Sequence, residues 1–303
     1  MADSVADLLG TLDLAETGED HYRGESPTTS LQRVFGGQVL GQALVAAGRT
    51  VPAGRAVHSL HAYFLRPGDP AVPIDYAVER SREGRAFSTR RVVARQREAQ
   101  IFVMSSSFQV AEEGLDHQDP MPAALDPDTL PTMAERATAE PQRWAALAHG
   151  WRSFDVRPAV RPGERWQPVA GHASHTQVWF RATGPLPDEP LAHASALAYV
   201  SDLTFLPATL VPHGLSFPDP RIQMASLDHA MWFHRAFRVD EWLLYDQISP
   251  SAQGSRGLAS GRIFDTAGRL VASVMQEGLI RVRPARQEDG KSYDESGSQG
   301  PPR

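Results

Sequence analysis

The sequence predicts an α+β protein made of two similar units, each with one helix followed by an antiparallel meander of strands. Two observations predict it: the order of one helix and four strands occurs twice, and short runs of letters repeat with it. The chain has 303 residues, of which 41% are hydrophobic, which is enough apolar material for a sizeable core. The predicted units are 1–111 and 168–283, joined by a proline-rich linker over 112–167. A polar tail over 284–303 is predicted to be disordered.

The first unit begins with a short amphipathic helix within 1–18, because its leucines recur at helical spacing. A second helix starts near Phe35 and is stopped by Pro52 and Gly54. Its many glycines and alanines allow very close packing around it. Four strand patterns follow, with Pro-Gly-Asp and Glu-Gly turns between them, over 57–65, 73–80, 87–94 and 101–110.

The second unit repeats this order after the linker, in which one short helix is predicted near Trp144. A strand over 176–182 precedes a helix that is predicted over 191–205 and closed by Pro207. Strand patterns then cover 224–235, 242–248, 257–264 and 270–282.

The two units also share letters. The run SLHAYFLR at 59–66 matches SLDHAMWFHR at 226–235, and a shorter match joins the two helices. Each match is short and is weak evidence alone. Together with the shared order of elements, the matches make a duplicated fold the best explanation of the length of the chain.

Composition excludes several classes of function. The formal net charge is −6 and cysteine is absent, so we expect no nucleic-acid partner, no thiolate metal site and no thiol nucleophile. No cofactor and no metal is predicted, because the histidines, such as His58 and His61, lack helical metal-ligand spacing. The acidic N-terminal residues do not resemble a leader, and we find no apolar run of about 18 residues. We therefore predict no membrane insertion and a cytoplasmic location.

Asp202 is a carboxylate on the apolar side of the second unit's helix, with Tyr199 before it and Phe205 after it. Burial and the C-terminal end of the helix both disfavour the charged form of the side chain, so its pKa is expected to rise. Such a residue is either functional or a structural aspartate bonded to backbone, and the pattern alone leaves both interpretations open.

Gln276 repeats this anomaly on the last strand, where it interrupts an otherwise apolar face. A buried amide needs partners for its oxygen and its hydrogens, although core amides are more often structural than catalytic. Ser226 is a third polar candidate. Its strand face is mixed, so the pattern says less about it.

The matched positions of the first unit carry different side chains. Arg49, Ser59 and Ser106 occupy the positions that correspond to Asp202, Ser226 and Gln276. Because the carboxylate and the amide occur once, we predict one chemically complete site per chain. The first unit is expected to supply a wall of this site, with Arg49 adding complementary charge.

Two familiar motifs, that of the serine-hydrolase nucleophile and that of a dinucleotide site, are absent. No G-x-S-x-G run occurs, so the nucleophile of an α/β-hydrolase has no place in the chain. The glycines at 36, 37 and 41 lack the spacing of a dinucleotide site, although amides at that helix start could hold an anion.

Five runs point to one known family: FGGQVLGQA at 35–43, VHSLHAYFLRPG at 57–68, SDL at 201–203, SLDHAMWFHR at 226–235 and QEG at 276–278. In these runs the sequence resembles the type II acyl-CoA thioesterases, the TesB-like double-hotdog enzymes. The resemblance covers nearly the whole chain apart from the linker and the tail. It implies a tandem double hotdog, in which each unit is an antiparallel sheet wrapped around a central helix.

The resemblance also implies a reaction and its residues. The family's water-activating carboxylate matches Asp202, its hydroxyl matches Ser226 and its glutamine matches Gln276. Many bacterial members have threonine at the hydroxyl position, so serine is a mild departure. The implied reaction is hydrolysis of a fatty acyl-CoA, the expected partner, to free acid and coenzyme A by direct attack of water. A homo-oligomer, a tetramer as in similar enzymes, is expected.

Further site residues and other functions remain open at this stage. The backbone amide of Gly37 is a candidate donor to the oxyanion, Arg49 a candidate substrate contact and His58 a reserve base. Hotdog folds also host hydratases and dehydratases that act on acyl-CoA. A third alternative is a protein that binds acyl-CoA without turnover.

Overall fold

The computed structural model describes residues 2–27, 32–141, 144, 152–161, 163–166 and 171–283. The predicted disordered tail, 284–303, lies outside these residues. The described helices are α1 (Val5–Leu12), α2 (Gly36–Arg49), α3 (Met133–Ala139) and α4 (Pro190–Ser201), and 3-10 turns cover Pro127–Thr129 and Leu206–His213.

Six strands form the sheet of the first half, in the order β1-β2-β4-β5-β6-β3. The four strands predicted after α2 are confirmed, with boundaries shifted by up to three residues. The predicted N-terminal helix was too long, because α1 ends at Leu12 and the chain then enters an unpredicted hairpin. The strands are β1 (Ala15–Gly18), β2 (His21–Gly24), β3 (Arg55–Phe64), β4 (Ile74–Glu83), β5 (Phe87–Gln96) and β6 (Ala99–Val110).

The second half continues the same sheet. Its strand order is β10-β13-β12-β11-β8-β7, and β9 pairs with the end of β13. Antiparallel pairing of β3 with β10, in which Leu60 lies opposite Met231, joins the two halves. The strands are β7 (Phe154–Pro158), β8 (Thr176–Ala182), β9 (Ile222–Ser226), β10 (Asp228–Phe233), β11 (Leu243–Gln253), β12 (Arg256–Asp265) and β13 (Leu270–Val282).

The central helices α2 and α4 cross in opposite directions. A Cβ atom added at Gly37 would lie 2.1 Å from the carbonyl oxygen of Tyr199, and one at Gly48 would lie 2.6 Å from Leu191. The N-terminal end of α2 therefore meets the C-terminal end of α4. This confirms the expectation that the small residues of α2 permit close packing, and it brings the end of the second unit's helix against the first unit.

The apolar core is shared by both halves. Leu40 and Leu44 of α2, Leu197 of α4 and Val274 of β13 belong to one buried cluster. Removing such side chains from water is the main stabilising term of the fold. One stretch, Pro190–His213, is apolar and long enough to cross a membrane by length and composition alone, but 78% of its most apolar part is buried inside the fold. Burial of this kind is typical of a core helix.

The predicted linker contains more structure than its composition suggested. It holds α3 and β7, and β7 pairs with β8 at the edge of the sheet. The segment before α3 covers the outer face of this part of the sheet, where Leu130 packs in a cluster with Trp179 and Trp242. The indole nitrogen of Trp179 donates to the carbonyl oxygen of Leu125 at 2.8 Å. The boundaries at 111 and 167 stay a prediction.

Candidate active site

Three elements meet where α4 reaches the first unit. Asp202 is the C-terminal cap of α4, with φ −82° and ψ −8°. Ser226 ends β9, and Gln276 lies on the buried face of β13. The fold thus brings together residues that are 24 and 74 positions away from Asp202 in the chain.

The carboxylate of Asp202 is the acceptor at the centre of this site. Nε2 of Gln276 donates to its Oδ1 atom at 2.5 Å. Oγ of Ser226 donates to the same oxygen at 3.1 Å. The backbone N–H of Gly37 gives a third hydrogen bond to the carboxylate. Ser226 and Gln276, which were singled out from the sequence together with Asp202, therefore both contact its carboxylate and hold it in one orientation.

The surroundings of Asp202 oppose its negative charge. Burial raises its pKa from the ordinary value to about 6, although hydrogen bonds from Gln276, Ser226 and Gly37 work in the opposite direction. The shift has the sign expected from the sequence. A carboxyl group with a pKa near neutrality is suited to take up a proton and then return it.

Gln276 carries an unsatisfied acceptor. Its side chain is fully buried, and within the described residues its Oε1 atom has no hydrogen-bond partner. Because Nε2 already binds Asp202, the amide cannot turn without placing its oxygen against the carboxylate. The orphaned oxygen is thus a site at which a donor, such as a small hydroxyl-bearing molecule, would bind favourably.

The first unit supplies one wall of the site, as predicted. A Cβ atom built at Gly36 would lie 2.6 Å from Oδ2 of Asp202 and 3.0 Å from the ring of Phe64. Any other residue at position 36 would push against the carboxylate. The glycine therefore allows the helix start of α2 to approach the carboxylate closely.

A backbone clamp holds the strand that carries Gln276. At this point β13 leaves β10 after Met275 and joins β9 at Gly278. The N–H of Glu277 donates to Oδ1 of Asp228 at 2.7 Å. The carbonyl oxygen of Glu277 accepts from the N–H of Leu227 at 2.9 Å. Sequence reasoning missed this role of Asp228, because the alternation of its own strand is mixed.

A second buried contact lies behind the site. Nε2 of His229 and Oγ of Ser201 are 2.9 Å apart, and Ser201 directly precedes Asp202. Burial lowers the pKa of His229 to about 3, so the ring is neutral at ordinary pH. The His229 side chain is fully buried. The contact anchors the last turn of α4, which ends at the catalytic candidate.

Two of the additional candidates lie away from this site. Arg49 is at the far end of α2, about 20 Å from Gly36 at the helical rise, and it binds Asp13 at 2.6 Å and the carbonyl oxygen of Leu14. His58 lies six residues before Phe64 on β3, which is about 20 Å along an extended strand. Both side chains therefore lie far from Asp202, because α2 and α4 run in opposite directions, and their contact with the substrate stays a prediction.

Gly37 lies at the site. Its backbone N–H donates to the carboxylate of Asp202. A role of this N–H as donor to the oxyanion stays a prediction. Elsewhere, within the described ranges, no three histidine, aspartate or glutamate side chains gather in a way that could hold a metal ion.

The fold defines the class of protein first. It is a tandem hotdog, and a solved hotdog-fold protein of Alicyclobacillus acidocaldarius superposes with a TM-score of 0.71 over 90% of this chain and 97% of that one, at 17% identity. At such low identity the likeness concerns the fold alone.

Closer relatives define the family. The acyl-CoA thioesterase family profile matches residues 149–279, and the profile of the acyl-CoA thioesterase N-terminal domain matches 25–109. Acyl-CoA thioesterase 2 of Haemophilus influenzae is 38% identical over 93% of this chain and 99% of its own length. Human acyl-coenzyme A thioesterase 8 is 38% identical over 90% and 88%. The acyl-CoA thioesterase II TesB2 structure from Mycobacterium marinum superposes with a TM-score of 0.78 at 49% identity, covering 91% of this chain and 98% of that one.

The chain therefore belongs to the acyl-CoA thioesterase family, and it hydrolyses acyl-CoA thioesters.

Proposed function

We propose that the chain hydrolyses fatty acyl-CoA by direct attack of water, with Asp202 as the general base. The observation that carries this proposal is the carboxylate with a raised pKa, held by Gln276 and Ser226 in the arrangement described above. A thioester carbonyl is activated enough for attack by water, so no covalent intermediate on the protein is needed.

In the proposed reaction, Asp202 first accepts a proton and later gives it to the leaving group. Asp202 takes a proton from water while the water oxygen forms a bond to the carbonyl carbon. The carbon–sulfur bond of the resulting tetrahedral species then breaks, and the sulfur receives the proton from the carboxyl group. Ser226 and Gln276 orient the water, and the buried free oxygen of Gln276 supports this role because it needs a donor.

Burial of the carboxylate suits both halves of this path. An ordinary aspartate is a weak base, whereas burial raises the pKa of Asp202 to about 6. Its basicity is then closer to the pH at which the enzyme works. Deprotonated above that value, the group can accept a proton, and its acid form can still protonate the leaving sulfur.

Release of free thiol tests this function directly. The purified chain is mixed with decanoyl-CoA and with its unsaturated analogue, and free coenzyme A is followed with a colorimetric thiol reagent. Free thiol with decanoic acid supports hydrolysis. A hydrated or dehydrated product with the thioester intact would instead identify a hydratase or dehydratase. Tight binding without any product would identify a binding protein.

We also propose a homo-oligomer, and a tetramer in particular. The outer face of the central strands supports this proposal, because Tyr63 is 60% exposed and Met275 is 37% exposed there. Large apolar side chains on one sheet face are typical of an interface. Molar mass from light scattering tests the assembly, and a monomer at working concentration contradicts it. Cytoplasmic location stays part of the proposal and is tested by cell fractionation.

A further inference from the structure

The last turn of α4 ends beside Asp202, and buried hydroxyl groups lie against its carbonyl oxygens. The last four carbonyl groups of a helix find no N–H partner within it. The N–H of Asp202 donates to the carbonyl oxygen of Val200, which leaves that of Ala198 without its usual donor. The hydroxyl of Ser201 lies 2.9 Å from this oxygen, and the hydroxyl of Tyr245 donates to the carbonyl oxygen of Ser201 at 3.4 Å. Both side chains are buried, so they cap this end of the helix from inside the fold.

His229 fixes the direction of the Ser201 hydroxyl. Nε2 of the ring lies 2.9 Å from Oγ of Ser201, and Nδ1 has no partner among the described residues. If the hydroxyl donated to the ring, both Nδ1–H and the carbonyl oxygen of Ala198 would stay unsatisfied. If it donates to Ala198, Nε2–H donates to Ser201 and only the lone pair of Nδ1 is left. The second arrangement leaves fewer buried groups unsatisfied, and the sulfur of Met231, 3.4 Å from the hydroxyl, is only a weak acceptor.

The ring of Tyr245 is packed tightly in the core. A Cβ atom at Gly261 of β12 would lie 2.4 Å from this ring, so the glycine makes room for it. The ring centroid of Phe205 lies 5.0 Å from that of Tyr245. The Tyr245 hydroxyl is held farther from its acceptor than the Ser201 hydroxyl is, so its hydrogen bond is the weaker of the two.

The two hydroxyls act on the charge of Asp202. The C-terminal end of a helix carries partial negative charge on its free carbonyl groups, and this charge opposes an anion placed there. A hydroxyl proton bound to such a carbonyl group offsets part of that charge. Asp202 follows Ser201 directly and caps α4, so it lies within the last turn, where the effect is largest. The hydroxyls of Ser201 and Tyr245 therefore favour the ionised carboxylate, which is the form that accepts a proton.

The titratable side chains around the end of α4 stay neutral where Asp202 titrates. Burial lowers the pKa of His229, on β10, to about 3. Burial and the charge of Asp202 raise the pKa of Tyr245, on β11, well above its ordinary value. Asp228 and Glu277 flank Gln276, but the pKa of Asp202 responds to burial and hydrogen bonds and, among the described residues, to no charged side chain. A change in the titration of Asp202 therefore reports on its hydrogen-bonded surroundings.

We propose that Ser201, His229 and Tyr245 are positioning residues of the hydrolysis, which fix the end of α4 and favour the ionised form of Asp202. The inference rests on the proposed function of Asp202 as general base. Ser201 and Tyr245 act through carbonyl groups of the helix, and His229 acts through Ser201. None of the three is among the donors to the carboxylate itself.

The acid limb of kcat/KM for decanoyl-CoA tests this role. Ser201→Ala should move the limb upward by roughly half a pH unit to one pH unit, which corresponds to the usual size of a helix-end charge effect. Tyr245→Phe should move it in the same direction by less, because its hydrogen bond is longer. KM should stay unchanged in both variants, since neither removes a group that holds the substrate.

Two matched controls separate positioning from stability. Ser195→Ala is the same substitution in the same helix, and Oγ of Ser195 is buried without a hydrogen-bond partner among the described residues. Tyr76→Phe removes a buried hydroxyl that donates to Oε1 of Gln42 at 2.7 Å. Both controls should leave the limb at its wild-type pH, although Tyr76→Phe should lose at least as much stability as Tyr245→Phe.

Combined variants test whether His229 acts through Ser201. His229→Leu should move the limb upward, whereas His229→Gln keeps a nitrogen donor in place of Nε2 and should restore it. Adding His229→Leu to Ser201→Ala should shift the limb no further than Ser201→Ala alone. Ser201→Ala and Tyr245→Phe remove donors from different carbonyl groups, so their shifts should add.

A titration without turnover keeps this inference distinct from the proposed function. In protein labelled with ¹³C-aspartate, the carboxyl signal that Asp202→Asn lacks reports the pKa of Asp202. An upward shift of this titration in Ser201→Ala, with none in Ser195→Ala, supports the inference whatever the rate of hydrolysis. The inference is overturned if Ser201→Ala titrates like wild type, if Ser195→Ala shifts as far, or if the effects of Ser201→Ala and His229→Leu add. An active Asp202→Asn contradicts only the proposed function.

Discussion

Nε2 of Gln276 lies 2.5 Å from Oδ1 of Asp202, although 74 residues separate the two in the chain. This hydrogen bond favours the ionised carboxylate, whereas burial disfavours it. Burial has the larger effect, so the pKa of Asp202 is raised to about 6. The balance between these two effects makes the pH dependence of the reaction a direct report on the geometry of the site.

The first prediction concerns the acid limb of the rate profile. Asp202 must be deprotonated to act as base, so kcat/KM should rise with pH and level off above about 6. Ser226→Ala removes a hydrogen bond to the charged form, so the limb should move to higher pH. Ser107→Ala, whose hydroxyl contacts His58 at the far end of β3, is the control. A limb near pH 4, or one that Ser226→Ala moves downward, contradicts the assignment.

The second prediction concerns stability. Because the folded chain raises the pKa of Asp202 from 3.8 to about 6, it holds this proton more tightly than the unfolded chain does. The free energy of unfolding therefore falls by at most about 3 kcal/mol as the pH rises from about 4 to about 6, and it stays constant above pH 6. Asp202→Asn does not titrate, so it should be more stable than wild type at pH 7, with the difference vanishing near pH 4.

Denaturant unfolding at several pH values measures this difference. Asp240→Asn is the control, because the pKa of Asp240 is shifted in the opposite direction. Burial raises the pKa of Asp240, but hydrogen bonds from Arg238 and the N–H of Leu186 lower it by a larger amount, so the net shift is downward. That variant should be less stable than wild type at pH 7. If Asp202→Asn were less stable than wild type at pH 7, burial would not destabilise the charged carboxylate.

The third prediction separates two neighbouring glycines. Gly36→Ala places a methyl group against the end of the Asp202 side chain and the ring of Phe64, so we expect a loss of activity larger than the loss of stability. Gly37→Ala places one 2.1 Å from the backbone oxygen of Tyr199, so the helix crossing should be disrupted and the melting temperature should fall most.

Melting temperature and kcat measured on the same preparations check this contrast. Gly10→Ala, in α1 with no atom near the added methyl group, is the control and should leave activity unchanged with a slight gain in stability. Equal activity in Gly36→Ala and wild type would show that the carboxylate does not depend on the close approach of α2.

The fourth prediction concerns the clamp on β13. Asp228→Ala leaves the N–H of Glu277 without its acceptor, so Gln276 should lose its fixed position and kcat should fall by about tenfold. Asp228→Asn keeps an oxygen acceptor and should retain most of the activity. The acid limb should also move upward in Asp228→Ala, because Asp202 loses part of its donor. A change in melting temperature without any change in kcat or in the limb would limit Asp228 to a structural role.

The residues of the site that the sequence could reveal are those that break a local pattern. Asp202 and Gln276 interrupt apolar faces of a helix and a strand, and such interruptions are visible without any knowledge of contacts. The four strands after the central helix of each unit were visible because alternation and turn residues are also local patterns, whereas the hairpin of β1 and β2 was not predicted. The strand β7 was hidden, because five residues with a terminal proline carry too little alternation to stand out from the surrounding linker.

Other features depend on pairing between distant parts of the chain. The clamp formed by Asp228 exists only because β13 changes partners at Gln276, which no local pattern records. Arg49 was assigned to the site by matching the two halves residue by residue. Since α2 and α4 run in opposite directions, matched helix ends lie at opposite ends of the molecule, and the matched arginine therefore lies far from Asp202.

The most direct test of the central claim is the rate at which Asp202→Asn releases thiol from decanoyl-CoA under saturating conditions, at a pH where wild type is fully active. Loss of a general base lowers a rate by roughly a hundredfold to ten-thousandfold. We expect a fall of that size in kcat, with a melting temperature no lower than that of wild type. Turnover within a few fold of wild type would show that water is activated by some other group.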